Sequence, residues 1–205
     1  SLGNVVDPLA LRERFGTDAV RWYLLREMPT GADASFTPER FIARYDELAN
    51  VLGNLASRVI AMIEKYRAGV VPAAPGTSLD ARIAAARRSV SESMEAYRVH
   101  DALAAAMELA REANGWVEER QPWAQAKDAG AAADLDETLA TLARILVTLS
   151  AFFQPVVPAK MAELCTRLGL ERVPTLAESG SLEMAGRRVN KGAPLFPKVE
   201  AEGIA

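Results

Sequence analysis

The feature that most constrains the fold of this chain is an apolar stripe that runs through residues 41–66. Its members, all aliphatic or aromatic and spaced by three or four residues, are Phe41, Tyr45, Leu48, Leu52, Leu55, Val59, Met62 and Tyr66. This spacing follows the α-helical turn of about 3.6 residues and is typical of an amphipathic helix packed in a bundle. Thr37 can cap its start, Pro38 suits the first turn, and Ala68-Gly69 marks its end. The stripe predicts one long helix with other helices packed against it.

The rest of the sequence contains shorter helical patterns separated by proline and glycine. Helices are predicted from Asp7-Pro8 to Gly16, from Thr17 or Asp18 to Leu25, and over Leu79–Tyr97, Asp101–Arg120, Leu135–Phe153 and Pro158–Leu168. A short strand is predicted near Ala34–Phe36, but no alternating pattern is strong enough to build a sheet. We therefore predict an all-α fold, an up-and-down helical bundle preceded by a smaller N-terminal region. The predicted divisions are residues 1–35, 36–178 and 179–205.

The composition restricts the chemistry that the chain can perform. It has one cysteine, Cys165, and one histidine, His100, so an internal disulfide is impossible and the usual zinc ligands are missing. We expect Cys165 to be a core residue, His100 to make a structural hydrogen bond, and no metal to be bound. No apolar run approaches the roughly 18 to 20 residues that cross a membrane, so we expect a cytoplasmic protein without a membrane partner.

The charge balance limits how such a chain can bind nucleic acid. The formal net charge is −3, whereas a protein that coats nucleic acid without selectivity is normally basic over its whole surface. Any RNA must therefore bind through a local patch, with shape and base contacts supplying selectivity. DNA is not an expected partner.

Several blocks of the sequence resemble a known family. The opening residues SLGNVVDP are similar to the run that follows K-M-S-K in class I aminoacyl-tRNA synthetases. Further blocks resemble the methionyl-tRNA synthetase family, in family order: residues 15–27 (yGxDxxRyfLLRE), 53–58 (GNLxxR), 113–127 (ANxYI…PWxLAK) and 194–198 (pLFPR). The chain departs from the family pattern at Thr30, Asp46 and Lys198. Each block is weak alone, but together they cover nearly the whole chain.

The resemblance implies a role for four residues in reading the anticodon of methionine tRNA: Asn54, Arg58, Pro122 and Trp123. Asn54 and Arg58 are four residues apart and share a helix face, where an amide and a guanidinium can contact bases or phosphates. Pro122 breaks the helix before Trp123, so the indole can serve as a stacking platform for an unpaired base. Trp22 and Trp116 are expected in the core.

The resemblance also implies which parts of the enzyme's site are present. Ser1, Leu2, Gly3 and Asn4 correspond to the trailing edge of the loop that holds the ATP phosphates, and residues 1–35 to a stem-contact region. The parent enzyme uses ATP and Mg²⁺ to activate methionine and transfers it to tRNA. The HIGH sequence and the lysines of K-M-S-K are absent, so we expect part of a longer protein, inactive without its catalytic domain.

The residues alone leave other functions open. The corresponding region of another class I synthetase, such as the valyl enzyme, shares the opening segment and the bundle. A helical interaction module without RNA binding fits the acidic balance. In that case Asn54 and Arg58 are an ordinary solvated pair, and Trp123 is a core anchor at the end of the bundle.

Overall fold

The computed structural model describes residues 7–29, 31 and 35–198. Its helices are α1 (Pro8–Phe15), α2 (Thr17–Glu27), α3 (Pro38–Glu47), α4 (Asn54–Arg67), α5 (Ser78–Glu95), α6 (Val99–Arg120), α7 (Pro122–Gln125), α8 (Ala132–Phe153) and α9 (Pro158–Arg167). A π-helical segment, Leu48–Gly53, joins α3 to α4. Short 3₁₀ turns occupy Ala129–Ala131 and Glu178–Gly180. The predicted all-α class is confirmed, and the described residues contain no strand.

Side-chain caps start the helices where the sequence indicated. The Asp7 carboxylate accepts a hydrogen bond from the Leu9 amide at 2.8 Å. The Thr37 hydroxyl accepts one from the Arg40 amide at 3.2 Å. Each cap satisfies an amide that has no partner inside its helix, and the proline that follows each cap needs no such partner.

Helix α8 lies at the centre of the bundle. From Thr138 to Phe153 every residue except Arg144 is buried, as expected for a helix that is apolar on all sides. Two of its buried hydroxyls bond within the helix: Thr148 donates to the Arg144 carbonyl at 3.1 Å and Ser150 to the Val147 carbonyl at 2.7 Å. Helices α4, α5, α6, α7 and α9 all pack on α8.

The N-terminal helices are fixed to the bundle by specific contacts. The Trp22 indole, fully buried, donates to the Arg44 carbonyl at 2.8 Å. The Asp18 carboxylate accepts from the Lys160 amide at 2.7 Å and so caps the start of α9. Arg21 donates to the Val156 carbonyl at 2.9 Å. Residues 7–29 therefore share the core of the bundle, and the predicted boundary near residue 35 stays a prediction.

The segment after α9 folds back along the bundle without a long helix. Leu195 and Phe196 are buried, and the Tyr45 hydroxyl donates to the Pro197 carbonyl at 2.6 Å. An isolated bridge joins Val70 to Arg188. These contacts anchor residues 188–197 against α3 and against the residues that follow α4.

Two local predictions are wrong. Ser35 and Phe36 do not form a strand, and Ala34 lies outside the described residues. The long helix predicted from Thr37 to Ala68 is interrupted by the π-helical segment, which the apolar spacing does not reveal. Within the described ranges, none of the helices is long and apolar enough to span a membrane.

Candidate nucleic-acid interface

Asn54 and Arg58 lie on α4, which begins where the π-helical segment ends. A π turn contains one more residue than an α turn, and such segments are frequent at functional sites. Asn54 is exposed, and 29% of the Arg58 side chain is exposed. The two side chains are one helical turn apart and lie on the same face of α4.

This face of α4 forms one wall of an open cavity of about 340 Å³, and α6 forms the other. The lining residues are Asn50, Val51, Asn54, Arg58, Arg111, Asn114, Gly115 and Glu118. Three amides, two guanidinium groups and the Glu118 carboxylate therefore border one opening. Amides pair with base edges, and guanidinium groups bind phosphates or bases, so the lining suits a polar, negatively charged ligand.

Asn114 fixes the position of the π-helical segment against α6. Its side-chain nitrogen donates to the Val51 carbonyl at 3.0 Å and to the Ala110 carbonyl at 2.9 Å. Two carbonyl acceptors require the NH₂ end of the amide at that position. The amide oxygen of Asn114 is buried, with no hydrogen-bond partner among the described residues. Asn114 thus joins α6 to the π-helical segment through its hydrogen bond to Val51, and it also lines the cavity.

Arg58 is held by an ion pair across the cavity. Its Nη2 lies 2.5 Å from the Glu118 carboxylate oxygen, which ties α4 to α6. The Glu118 side chain is 62% exposed, so this pair is screened by solvent and contributes little to stability. An incoming phosphate or base must compete with Glu118 for the guanidinium.

Pro122 and Trp123 follow the end of α6, outside the lining of the cavity. Gln121 ends α6 in the left-handed conformation (φ 47°, ψ 60°), and Pro122 begins α7 and is buried. Trp123 is 36% exposed. Its indole therefore presents apolar surface to solvent, five residues beyond Glu118 along the chain.

The other two tryptophans lie in the core, as expected. Trp22 is fully buried, and Trp116 is 9% exposed with the Arg120 guanidinium 5.5 Å from its ring centre. Trp123, which follows the proline, is thus more exposed than the other two tryptophans of the chain.

The arginine cluster, four arginines around two carboxylates, meets the cavity at Arg111. Its members are Arg26, Arg40, Arg44 and Arg111, arranged around Glu27 and Glu47. Glu47 contacts Arg26 at 3.6 Å and Arg44 at 3.1 Å, and it also pairs with Arg111 on α6. Burial lowers the pKa of Arg26, and the neighbouring Glu47 carboxylate opposes that shift.

Sequence reasoning missed Asn50, Arg111 and Glu118 as cavity residues. A signal was present: Asn50, Asn54 and Arg58 recur every four residues, while Arg111 and Glu118 are seven apart on the face of α6 that also carries Asn114. Which helix faces which cannot be read from that spacing.

The reactive side chains of the described residues lie away from the cavity. Burial raises the pKa of the Cys165 thiol, which donates to the Ser150 hydroxyl at 3.3 Å. The His100 ring nitrogen lies 3.2 Å from the Asp101 carboxylate, next to it in the chain. No group of three or more histidine, cysteine or acidic residues suited to a metal occurs in the described ranges. Residues 1–4, assigned to the ATP loop, lie outside them.

Known proteins similar to this chain share one activity name. Residues 1–60 match the family model described as tRNA synthetases class I (M). Over 98% of its length the chain is 39% identical to methionine–tRNA ligase 1 of Bacillus cereus and to methionine–tRNA ligase of Streptococcus pyogenes. The chain is homologous to methionyl-tRNA synthetases. It spans 32% of the length of each of these relatives.

Solved methionyl-tRNA synthetase structures share the fold. The apo form of the Mycobacterium tuberculosis enzyme aligns with a TM-score of 0.87 at 29% identity, covering 97% of this chain and 42% of that one. The same enzyme bound by methionyl-adenylate aligns with a TM-score of 0.88 at 31% identity, covering 96% of this chain and 41% of that one. The predicted methionyl-tRNA synthetase relationship is confirmed.

Proposed function

We propose that this chain is the anticodon-binding part of a methionine–tRNA ligase and binds the anticodon loop of methionine tRNA. Asn54 and Arg58 contact the loop, Trp123 stacks on an unpaired base, and Pro122 sets the turn that presents the indole. One observation carries the proposal: Asn54 and Arg58 line a polar cavity between α4 and α6, and an exposed tryptophan, Trp123, follows the end of α6. Proteins recognise single-stranded RNA loops by combining such hydrogen-bonding groups with aromatic stacking.

The proposed complex must open the ion pair between Arg58 and Glu118. The pair is partly exposed, so a phosphate or base can replace the carboxylate at small cost. Asn114 keeps α6 and the π-helical segment together during this exchange, because its hydrogen bond to the Val51 carbonyl does not involve Arg58. The cavity walls are therefore preformed, and only the charged side chains rearrange.

The proposal extends to the parent enzyme, which activates methionine with ATP and Mg²⁺ and transfers it to methionine tRNA in the cytoplasm. This chain has one histidine, so it cannot contain the HIGH sequence, which needs two. The catalytic domain is then a partner supplied by the rest of the protein. Methionine-dependent ATP–pyrophosphate exchange by the purified chain would contradict this division of labour.

The test is binding of the chain to a methionine-tRNA anticodon stem-loop, measured by fluorescence anisotropy beside a loop with its first anticodon base changed. The chain should bind the cognate loop more tightly. Trp123→Ala should weaken that binding roughly 5- to 150-fold, since stacking on a base is worth about 1–3 kcal/mol. Trp123→Phe keeps a stacking ring and should retain most of the affinity.

A matched control separates stacking from general loss of apolar surface. Met94 on α5 is 38% exposed, close to the exposure of Trp123, and lies outside the cavity lining. Met94→Ala should leave both affinities unchanged. Equal binding of the two loops, or an unchanged Kd for a folded Trp123→Ala chain, would refute the proposal.

A helical interaction module is the second candidate. The pairing of Arg58 with Glu118 and the net charge of −3 favour it. It predicts that Trp123→Ala changes only stability and that neither stem-loop binds. The same anisotropy experiment therefore distinguishes the two functions.

A further inference from the structure

Arg111 stands at the cavity without a role in the proposed function. It shares one face of α6 with Asn114 and Glu118, at spacings of three and seven residues. This face borders the cavity opposite Asn54 and Arg58. The Arg111 side chain is 43% exposed, more than that of Arg58, so it is accessible to a ligand in the cavity.

The carboxylates around Arg111 do not neutralise it. Its partner Glu47 is shared with Arg26 and Arg44, so three guanidinium groups face one carboxylate. Its other partner, Glu108, lies 3.2 Å away and is 62% exposed, which makes that pair weak. Positive charge therefore remains at this rim of the cavity, although the chain as a whole is acidic.

Arg111 also keeps hydrogen-bonding capacity. An arginine side chain carries five N–H donors. Within the described part of the chain, Arg111 donates from Nη1 to Glu108 and from Nη2 to Glu47. The guanidinium can thus bind another anion while it stays anchored to Glu47. Glu47 in turn does not need Arg111 for its own neutralisation, because Arg26 and Arg44 contact it as well.

We propose that Arg111 binds a phosphate of the RNA backbone when a single-stranded loop occupies the cavity. The ligand class is a phosphodiester, and the contact strengthens binding without reading sequence, because the phosphate group is common to all sequences. This inference rests on the proposed function, since it names a contact within the same complex.

The test measures the affinity of both stem-loops for Arg111→Gln over a series of salt concentrations. One phosphate contact fewer should lower the slope of log K against log salt by about 0.7, as for single strands. At about 0.1 M salt this corresponds to roughly fivefold weaker binding, equal for the cognate and the base-changed loop. Arg111→Lys keeps the charge and should retain most of the affinity and the slope.

The control removes the same charge from α5, outside the lining of the cavity. Arg82 pairs with Glu112, the residue after Arg111, and its side chain is 61% exposed. Arg82→Gln should leave the slope unchanged. Circular dichroism checks that each variant is folded, and Arg111→Met, which keeps the aliphatic stem, replaces Arg111→Gln if that variant melts early.

The outcomes separate this inference from the proposed function. If the native chain prefers the cognate loop but Arg111→Gln and Arg111→Met leave the Kd and slope unchanged, the phosphate contact is refuted and anticodon binding stands. If the loss falls on the cognate loop alone, Arg111 reads a base, and the phosphate assignment is again wrong. If the native chain does not distinguish the loops, the proposed function fails and this inference falls with it.

Discussion

Among the charged residues that the structure describes, Glu47 should be especially sensitive to substitution, because it joins three helices through one carboxylate. It contacts Arg26 on α2, Arg44 on α3 and Arg111 on α6, and only 9% of its side chain is exposed. Glu47→Gln keeps the shape and removes the charge. The substitution leaves three guanidinium groups near each other without their common counter-ion.

The cost can be worked out from the exposure of the three arginines. Removing one partner of a fully buried pair costs about 3–5 kcal/mol. Arg111 and Arg44 are 43% and 32% exposed, and Arg44 keeps Glu27 at 2.7 Å, so both lose little. The Arg26 side chain, which is 16% exposed, loses its ion pair with Glu47. We therefore expect a loss of about 2 kcal/mol in the free energy of unfolding, or about 4–8 °C in Tm for a chain of this size.

Urea unfolding followed by circular dichroism measures this loss. Glu108→Gln is the control, because Glu108 pairs with the same Arg111 but is 62% exposed. It should change the free energy of unfolding by less than about 0.5 kcal/mol. Equal effects of the two substitutions would show that Glu47 is solvated like Glu108 and that burial does not set the cost.

Three further predictions concern stability and reactivity. Burial raises the pKa of the Cys165 thiol, so the native protein at neutral pH should react with a thiol reagent far more slowly than the urea-unfolded chain. Ala68→Gly should stabilise the protein by about 1 kcal/mol in urea unfolding, since Ala68 ends α4 in a left-handed conformation at φ 50°. The Arg172 guanidinium lowers the pKa of Glu178 from 4.5 to about 2. The ionised Glu178 carboxylate therefore stabilises the folded state fully above pH 4.5, and this stabilisation is lost as the pH falls through 2. The difference in urea midpoint between the native chain and Glu178→Gln should shrink over that pH range.

The helix starts could be predicted because their causes are local. Thr37-Pro38 and Asp7-Pro8 contain the cap and the proline within two adjacent residues, and the structure starts helices there. The start of α5 was predicted one residue late, at Leu79. There Thr77 and Asp80 form a capping box, with the Thr77 amide donating to the Asp80 carboxylate at 2.6 Å.

The π-helical segment was not predicted, and one contact that holds it comes from a residue distant in sequence. Its apolar residues Leu48 and Leu52 keep the spacing of an ordinary α-helix and are both fully buried. The side chain that holds one of its carbonyls belongs to Asn114, which is 63 residues from Val51 in the chain. Only the packing of α6 against the π-helical segment brings Asn114 and Val51 together.

The candidate site also has a part that the sequence predicts and a part that only the packing of helices reveals. The shared face of Asn54 and Arg58 follows from their spacing and from helical geometry. The partner of Arg58 does not, because Glu118 is 60 residues away in the chain. In the sequence Glu118 belongs to an acidic pair that reads as a solvated face, and its position opposite Arg58 depends on how α4 and α6 are aligned.

An acidic chain can still have a local basic surface, because folding brings together arginines that are far apart in the sequence. The arginine cluster draws on α2, α3 and α6 and sets four guanidinium groups around Glu27 and Glu47. Both carboxylates are largely buried beneath arginines that are more exposed, so solvent and ligand meet the positive groups first. The relevant quantity for the proposed RNA binding is then the number of phosphates that these groups neutralise, which the salt dependence measures directly. A net charge of −3 restricts binding to such a patch and does not exclude it.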